Sequence, residues 1–172
     1  MKAEDTLVTN LLEGAKQFIV PIFQRDYSWG TKHCQQLWKD VIRVGSDANV
    51  KGHFLGSVVY VAAEDNTATI ARWLLIDGQQ RMTTLTLLLI ALRDQIKQAQ
   101  TNGNDGDDVS SPEELDDYFL RNRHGKGDRR HKLHLRRADQ DTLHALLDGK
   151  EMPDGASERV KENYLFLRDL VS

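Results

Sequence analysis

The pentapeptide DGQQR at residues 77–81 carries the residue types that phosphate binding requires. It follows the apolar run LLI and precedes a leucine-rich segment, which predicts a strand that opens directly into a helix. Such a junction presents free backbone N–H groups at the positive end of the helix dipole, where anions bind favourably. Gly78 lets the backbone approach a ligand because it has no Cβ atom. The planar guanidinium of Arg81 matches two phosphate oxygens.

Side chains around this junction add further donors and a metal ligand to the predicted phosphate site. Gln79 and Gln80 supply neutral donors, and Thr83 and Thr84 supply hydroxyl groups in the first helical turn. Asp77, at the end of the strand, is placed to hold a divalent cation or to orient a water molecule. The alternative is that DG forms an ordinary turn and that the arginine pairs with a nearby carboxylate. The segment matches neither a P-loop nor a Rossmann fingerprint.

A second motif, PIFQRDYSW at residues 21–29, predicts a polar and aromatic turn between a strand and a helix. Gln24 and Arg25 lie where side chains point towards solvent or towards a ligand. Tyr27 and Trp29 either stack on a nucleic-acid base or pack over the helix predicted at 31–44. Packing over the helix is the better interpretation for Trp29.

Two further positions, Gly56 and Cys34, predict features of the fold. Gly56, in the third motif HFLGS, lies inside a predicted strand, which indicates either the close approach of another group or a bulge. Cys34 lies on the apolar stripe of a predicted helix, so we expect a buried structural thiol.

Charge is distributed in two opposed blocks. Residues 104–117 carry seven acidic side chains and no base, whereas residues 121–137 carry eight basic side chains against Asp128 alone. The basic block either follows a nucleic-acid backbone or forms a solvated face that the acidic loop partly neutralises. His131 and His134 lie in this block without a cysteine or carboxylate at matching spacing, so we predict no metal site there. The candidate DNA contacts are Arg121, Arg123, Arg129, Arg130, Arg136 and Arg137.

Composition excludes several other classes of protein. The chain has 172 residues, a net charge of −3 and one cysteine, which rules out an internal disulfide or a four-cysteine zinc site. No apolar run reaches the roughly 18 residues of a membrane helix, and the N-terminus lacks the apolar segment of a signal peptide. We therefore expect a cytoplasmic protein with no membrane partner.

The elements that must position these residues indicate an α+β fold. We predict a strand at 18–23, at the sheet edge because of Pro21, and a hairpin of 53–62 with 67–76. A buried central helix at 82–99 follows. We expect a core at 1–100, a flexible acidic loop at 101–111 and a helical extension at 112–172. The last predicted helix reaches Ser172 without a stop signal, so we expect the natural chain to continue.

The three motifs PIFQRDYSW, HFLGS and LLIDGQQRMTTL occur in the order that is typical of one family. Together they resemble the N-terminal domain of GmrSD-type modification-dependent restriction endonucleases, which act in bacterial phage defence. The later segments KLHLRRADQDTLHALL and SERVKENYLFLRDLV also resemble that family, so the resemblance extends over nearly the whole chain.

This resemblance implies a small mixed sheet similar to the ParB/sulfiredoxin superfamily and a site for a nucleoside triphosphate with Mg²⁺. Carried over by position, the family's motif marks Asp77, Gly78, Gln79, Gln80 and Arg81, with Gln24 and Arg25 of the PIFQRDYSW motif as neighbours. Together with the side-chain chemistry described above, this predicts a catalytic set of Asp77, Gln79, Gln80 and Arg81, with Asp77 as the Mg²⁺ ligand. The predicted nucleotide-binding set is Gly78, Arg81, Thr83, Thr84, Gln24 and Arg25, in which the two threonines follow from their hydroxyl groups and not from the resemblance. Full-length relatives often carry an HNH-type nuclease domain, which nothing in this chain matches.

We therefore expect a domain that binds and hydrolyses a nucleoside triphosphate and thereby controls a DNA-cleaving domain. That nuclease domain would lie in cis or in a separate subunit, DNA would be a partner of the full-length protein, and a homo-oligomer is compatible with this expectation. The alternative is a DNA-binding sensor that reads modified DNA through residues 121–137 without nucleotide turnover.

Overall fold

A computed structural model describes residues 4–50, 52–65, 69–103 and 110–172. Its centre is a four-stranded sheet in the order β2-β3-β1-β4. The strands are β1 (Lys16–Ile19), β2 (Val59–Ala62), β3 (Ala71–Asp77) and β4 (Leu133–His134). Strand β1 runs parallel to both β3 and β4, and β2 runs antiparallel to β3. The mixed sheet with its helices confirms the predicted α+β fold.

Helices surround this sheet, and local sequence signals explain where several of them begin and end. Ser111 and Glu114 form a capping box at the start of α4, and Ser157 caps α6 through the N–H of Val160. Gly149 ends α5 in a left-handed conformation. The helices are α1 (Val8–Leu12), α2 (Thr31–Ser46), α3 (Gln79–Thr101), α4 (Pro112–Leu115), α5 (Arg137–Asp148) and α6 (Glu158–Val171). A π-helix (Asp116–Leu120) continues α4, and a 3₁₀ turn (Gly127–Arg130) precedes β4.

The position predicted for β1 at a sheet edge is wrong. The strand lies between β3 and β4, and it ends two residues before Pro21. The proline therefore never needs to donate a ladder hydrogen bond, and its lack of an N–H does not exclude an interior position. Pro21 instead begins a tight turn, which is closed by a hydrogen bond from the Gln24 N–H to the Pro21 carbonyl (3.0 Å).

The predicted hairpin is present as the antiparallel pair β2–β3, although its strands are shorter than expected. Strand β2 begins at Val59, so residues 53–58 precede it without belonging to a strand. Residue 66 of the predicted turn and residues 67–68 of the second predicted strand lie outside the described residues, as does most of the acidic loop, at 104–109.

Helix α3 is the centre of the hydrophobic core, as its apolar first half predicts. Leu87, Ile90 and Ala91 are completely buried. The helix contacts α6, α4, the π-helix and β4. Residues 112–172 thus supply both the strand that pairs with β1 and the helix that packs along α3. No helix of the described part of the chain is long and apolar enough to cross a membrane.

A buried arginine connects α3 to the C-terminal half of the chain. Arg93 is only 2% exposed, and its guanidinium lies 2.8 Å from a carboxylate oxygen of Asp94 and 2.8 Å from one of Asp116. It also donates to the carbonyls of Leu147 (2.9 Å) and Leu146 (3.0 Å) at the end of α5. Because four acceptors surround the charge, its burial is compensated, and removing the guanidinium would take one donor from each of two carboxylates and two carbonyls.

We expect Arg93→Met to lower the free energy of unfolding by about 3–5 kcal/mol, since one partner of a buried charge network is lost. Urea unfolding followed by circular dichroism measures the change. The matched control is Arg168→Met on α6, where the arginine is exposed and the expected change is within about 0.5 kcal/mol. Equal effects of the two substitutions would contradict a structural role for Arg93.

Candidate functional site

The carboxyl ends of the three parallel strands β3, β1 and β4 meet at one edge of the sheet. Strand β3 leads into Gly78 and α3, β1 leads into the segment 20–29, and β4 leads through Leu135 and Arg136 into α5. The PIFQRDYSW and DGQQR motifs are therefore brought together at this edge. In open sheets with parallel strands, ligands bind at the carboxyl ends of the strands, which makes this edge the candidate site.

Gly78 forms the junction between β3 and α3 in a conformation that favours glycine. Its φ is 91°, in the left-handed region. A Cβ atom at this position would lie 3.1 Å from the Val58 side chain and 3.2 Å from the Ser57 carbonyl oxygen. The junction is thus pressed against the segment before β2, and both the turn and the close approach need a residue without a side chain.

The guanidinium of Arg81 lies against Gly56, the glycine of the HFLGS motif. A Cβ atom built on Gly56 would lie 2.9 Å from the guanidinium carbon, and the φ of Gly56 is 103°. The guanidinium donates to the Ser57 carbonyl (2.7 Å). Of the two explanations for Gly56, close approach is confirmed, but the residue precedes β2 and is not inside a strand. Arg81 therefore links the HFLGS and DGQQR motifs.

The side chain of Gln80 holds the loop that follows β1. Its Oε1 accepts hydrogen bonds from the backbone N–H groups of Ser28 (2.8 Å) and Trp29 (3.1 Å). Its Nε2 donates to the Asp26 carbonyl (3.2 Å). Both ends of this buried amide are therefore used inside the protein. The structure places Gln80 as a positioning residue for the loop that carries Arg25.

Gln79 is arranged differently, because one end of its amide has no partner. Its Nε2 donates to the Arg25 carbonyl (3.1 Å), which fixes the orientation of the amide, since the reverse would oppose two oxygens. Its Oε1 is buried and accepts no hydrogen bond, and the residue is only 8% exposed. The two neighbouring glutamines of the motif thus face different surroundings.

The unpartnered oxygen belongs to a residue that lines a narrow cavity at the start of α3. Its volume is about 10 Å³, which is about the space for one water molecule. Residues from all three parallel strand ends contribute to its walls, including Arg25, Thr83, Arg136 and Asp139. Arg136 also lines an open groove of about 420 Å³, whose walls include Asp26, Asp141 and Asp154.

Tyr27 anchors the same loop in the core and is not available for stacking on a base. Its hydroxyl lies 2.7 Å from the Thr84 hydroxyl and accepts a hydrogen bond from Asn163 Nδ2 (2.9 Å). Burial raises the pKa of this phenol well above its usual value. Trp29 stacks on His33 at a ring distance of 4.9 Å, so both aromatic residues pack within the fold. Of the two interpretations left open, packing is the one that the structure shows.

The two candidate threonines are also enclosed. Thr83 and Thr84 are buried, and their hydroxyls donate to the carbonyls of Gln79 and Gln80 one turn earlier, at 2.8 Å each. Only Thr83 lines the cavity. A role for either hydroxyl in nucleotide binding stays a prediction.

Two buried residues that support the site were missed in the sequence analysis. Asp139 accepts from the Tyr27 N–H (2.7 Å) and from the Ser157 hydroxyl (2.7 Å). Asn163 on α6 donates to the Trp29 carbonyl (2.6 Å) as well as to Tyr27. Both residues lie in the later segments that resemble the family, at 132–147 and 157–171, but nothing in those segments indicates a role for them. They lie 112 and 136 positions from Tyr27 in the chain, so no local pattern could have found them.

Arg25, Gln24 and Asp77 form the outer part of the site. Gln24 Nε2 donates to the Ile76 carbonyl (2.9 Å), which joins the loop to the end of β3. Arg25 and Asp77 are exposed, and among the described residues none forms a hydrogen bond or ion pair with either side chain. One cationic and one anionic side chain are thus available to a ligand at this edge.

The described residues contain no group of three or more side chains that could hold a metal ion. Asp77 is a lone carboxylate, so a Mg²⁺ ion there would need phosphate oxygens and water to complete its octahedron. Cys34 is completely buried, and burial raises the pKa of its thiol to about 11. This confirms the predicted structural thiol.

Most of the basic block is neutralised within the fold. Arg121 pairs with Asp148 at 2.8 Å, and Arg130 lies 3.6 Å from the same carboxylate. Of the six candidate DNA contacts, the five that lie within 4.0 Å of an aspartate are Arg121, Arg123, Arg129, Arg130 and Arg136. Lys132 is buried and donates to the Leu12 carbonyl (2.9 Å), and burial lowers its pKa to about 8. Many of the basic side chains in this block therefore form ion pairs or hydrogen bonds within the fold.

Three histidines of the C-terminal half meet beside this block. The rings of His131 and His144 are 4.2 Å apart, and His134 lies 6.2 Å from His144. Burial lowers the pKa of all three, that of His144 to about 4, so they are neutral at pH 7. His131 Nε2 lies 3.2 Å from Asp148. No local sequence pattern predicts this cluster, because His144 lies on α5, away from His131 and His134 in the chain.

The family comparison agrees with the motif order. The family described as "GmrSD restriction endonuclease, N-terminal domain" matches residues 8–170 of the chain. The match covers nearly the whole sequence, and the chain belongs to this family. It is thus a restriction-related domain, as the resemblance predicted. No curated protein matches the chain.

We expect Gln80→Ala to lower the free energy of unfolding by about 2–4 kcal/mol, because the N–H groups of Ser28 and Trp29 lose their acceptor. Urea unfolding measures this change. The matched control is Gln98→Ala, an exposed glutamine on the same helix, with an expected change within about 0.5 kcal/mol. A value for Gln80→Ala that equals the control would show that the amide does not hold the loop.

Proposed function

We propose that the domain binds a nucleoside triphosphate with Mg²⁺ at the carboxyl ends of β3, β1 and β4 and hydrolyses it. The observation that carries this proposal is the buried Gln79 Oε1 without a partner, in a residue that lines a one-water cavity at the start of α3. A buried acceptor of this kind needs a donor, and a water molecule supplies one. Hydrolysis of a phosphoanhydride needs such an oriented water.

The residues around the cavity fit the phosphates of this ligand. The first backbone N–H groups of α3 lie at the positive end of a 23-residue helix. Arg25 offers an exposed guanidinium without an internal partner among the described residues. Arg81 is already bonded to Ser57, so in this proposal it orients the junction and contributes positive charge. Mg²⁺ would neutralise phosphate charge beside Asp77.

Within the motif, the contacts favour Gln79 over Gln80 as the residue that orients the water. The Gln80 amide is fully used by the loop, whereas the Gln79 oxygen is buried and free to accept. The neighbouring groove of about 420 Å³ has the volume of a small-molecule pocket. Its aspartates suit ribose hydroxyl groups, which are hydrogen-bond donors, and they do not suit phosphates.

We further propose that the nucleotide state of this domain controls a DNA-cleaving domain, in cis or in a separate subunit. Membership in a restriction endonuclease family supports a role beside a nuclease acting on DNA. The ParB/sulfiredoxin-like relationship of the fold and an HNH type for the nuclease remain predictions that follow from the resemblance. An oligomeric assembly is likewise a prediction.

Binding is tested by calorimetry with each common nucleoside triphosphate and MgCl₂. We expect Arg25→Ala to weaken binding about 10- to 100-fold, because a charge-assisted contact to phosphate is lost. The matched control Arg123→Ala removes an exposed arginine of the basic block and should leave the dissociation constant unchanged. Absence of binding by the unsubstituted chain would overturn the proposal.

Turnover distinguishes the role of Gln79 from that of its neighbours. We expect Gln79→Ala to lower the rate of phosphate release about 100-fold, because the attacking water loses its acceptor. Nucleotide affinity should change by less than about threefold, because the amides of Gln24 and Gln80 still hold the loop that carries Arg25 after its bond to Gln79 is lost. Gln98→Ala should change neither quantity. A loss of affinity as large as the loss of rate would assign Gln79 to binding, not to hydrolysis.

The DNA-sensor alternative is supported by the exposed Arg137, for which no ion pair is found among the described residues. A filter-binding salt titration separates the two functions. A steep loss of DNA affinity with salt that nucleotide does not alter would favour the sensor. Because five of the six arginines already have aspartate neighbours, we expect a shallow slope for this domain.

A further inference from the structure

The turn after β1 exposes two large apolar side chains next to the site. Ile22 is 89% exposed and Phe23 is 74% exposed, at the two central positions of the turn that Pro21 begins and Gln24 closes. Isolated exposed apolar residues are common on protein surfaces. Here two adjacent apolar side chains lie on a tight turn beside a ligand site, and both are mostly exposed to solvent.

Hydrogen bonds hold this turn in place from three directions. The Val20 N–H donates to the carbonyl of His134, the last residue of β4 (2.8 Å), and Gln24 Nε2 donates to the Ile76 carbonyl at the end of β3. Arg136 Nη1 donates to the Gln24 carbonyl from the start of α5 (2.9 Å). The backbone of the turn that carries Phe23 is therefore fixed in the folded protein. Binding of a ligand to the ring then loses little backbone conformational entropy.

Phe23 is close to the phosphate-binding residues in the chain. It precedes Arg25 by two positions, so their Cα atoms are no more than about 7 Å apart. The turn is joined to Arg136, which lines both the cavity and the groove. An aromatic ring at this distance from a phosphate-binding arginine lies where the base of the same nucleotide can reach it.

We propose that Phe23 is the surface on which the base of the bound nucleotide stacks; this rests on the nucleotide site proposed above. Stacking on an aromatic ring tolerates every base, because each base has a π-face. The site then discriminates a nucleoside triphosphate from bare polyphosphate through Phe23, and it does not select one base by this contact. Phe23 is a binding residue that touches the ligand and has no part in the chemical step.

The test compares the binding of two ligands, a nucleoside triphosphate and inorganic tripolyphosphate, each with MgCl₂, by calorimetry. We expect Phe23→Ala to weaken binding of the nucleotide about tenfold or more and to leave tripolyphosphate binding unchanged. Phe23→Trp should retain nucleotide affinity. Tyr118→Ala removes an exposed ring on the π-helix and serves as the control. Unfolding midpoints confirm that each variant is folded.

A spectroscopic readout accompanies the affinities. In the Phe23→Trp variant we expect nucleotide to quench more tryptophan fluorescence than it does in the unsubstituted chain, because the base covers the new indole. Tripolyphosphate should produce no such difference, because it has no base. If Phe23→Ala leaves nucleotide affinity unchanged while both ligands bind the unsubstituted chain, the ring faces another partner, such as DNA or a protein, and the inference is overturned. Equal loss of both ligands would also overturn it. If neither ligand binds the unsubstituted chain, the proposed nucleotide site itself fails.

Discussion

The arrangement of the site depends on one buried amide, that of Gln80. Its oxygen accepts two backbone N–H groups of the loop after β1, and its nitrogen donates to a third backbone group. These bonds join the first turn of α3 to a loop more than fifty residues earlier in the chain. The positions of Arg25 and Phe23 follow from this connection, and Asp139 and Asn163 secure the same loop from α5 and α6. A loop without these acceptors would leave polar backbone unsatisfied.

Adjacent residues of the DGQQR motif differ in their partners: Gln79 and Gln80 are almost equally buried, but only Gln80 has partners for both ends of its amide. Gly78 and Arg81 join the junction to the segment before β2, so they define the shape of the turn. Gln80 faces the loop, Gln79 keeps an unused oxygen, and Asp77 points to solvent at the sheet edge. Three of the five positions, Gly78, Gln80 and Arg81, therefore serve the fold, whereas Asp77 and Gln79 keep oxygen atoms that no described residue contacts by a hydrogen bond.

The charged side chains of the C-terminal half mainly form ion pairs that connect one helix or strand to another. Arg93 connects α3 to Asp116 and to the end of α5, and Asp148 gathers Arg121, Arg130 and His131 around one carboxylate. Such networks are costly to break because a single loss leaves a charge unpaired in a poorly solvated region. The basic block that stands out in the sequence is thus largely balanced by aspartates, several of them distant in the chain.

The sequence by itself determined the strand–DG–helix junction, the buried α3, the caps of α4 and α6 and the family, because these depend on local periodicity, local hydrogen bonds and motif order. Tertiary structure alone decided that β1 is interior, that Gln79 rather than Gln80 keeps a free oxygen, and which arginines find aspartates. It also brought Asp139 and Asn163 to Tyr27. These outcomes depend on contacts between residues far apart in the chain, and a pattern within one segment cannot specify which distant donor meets which acceptor.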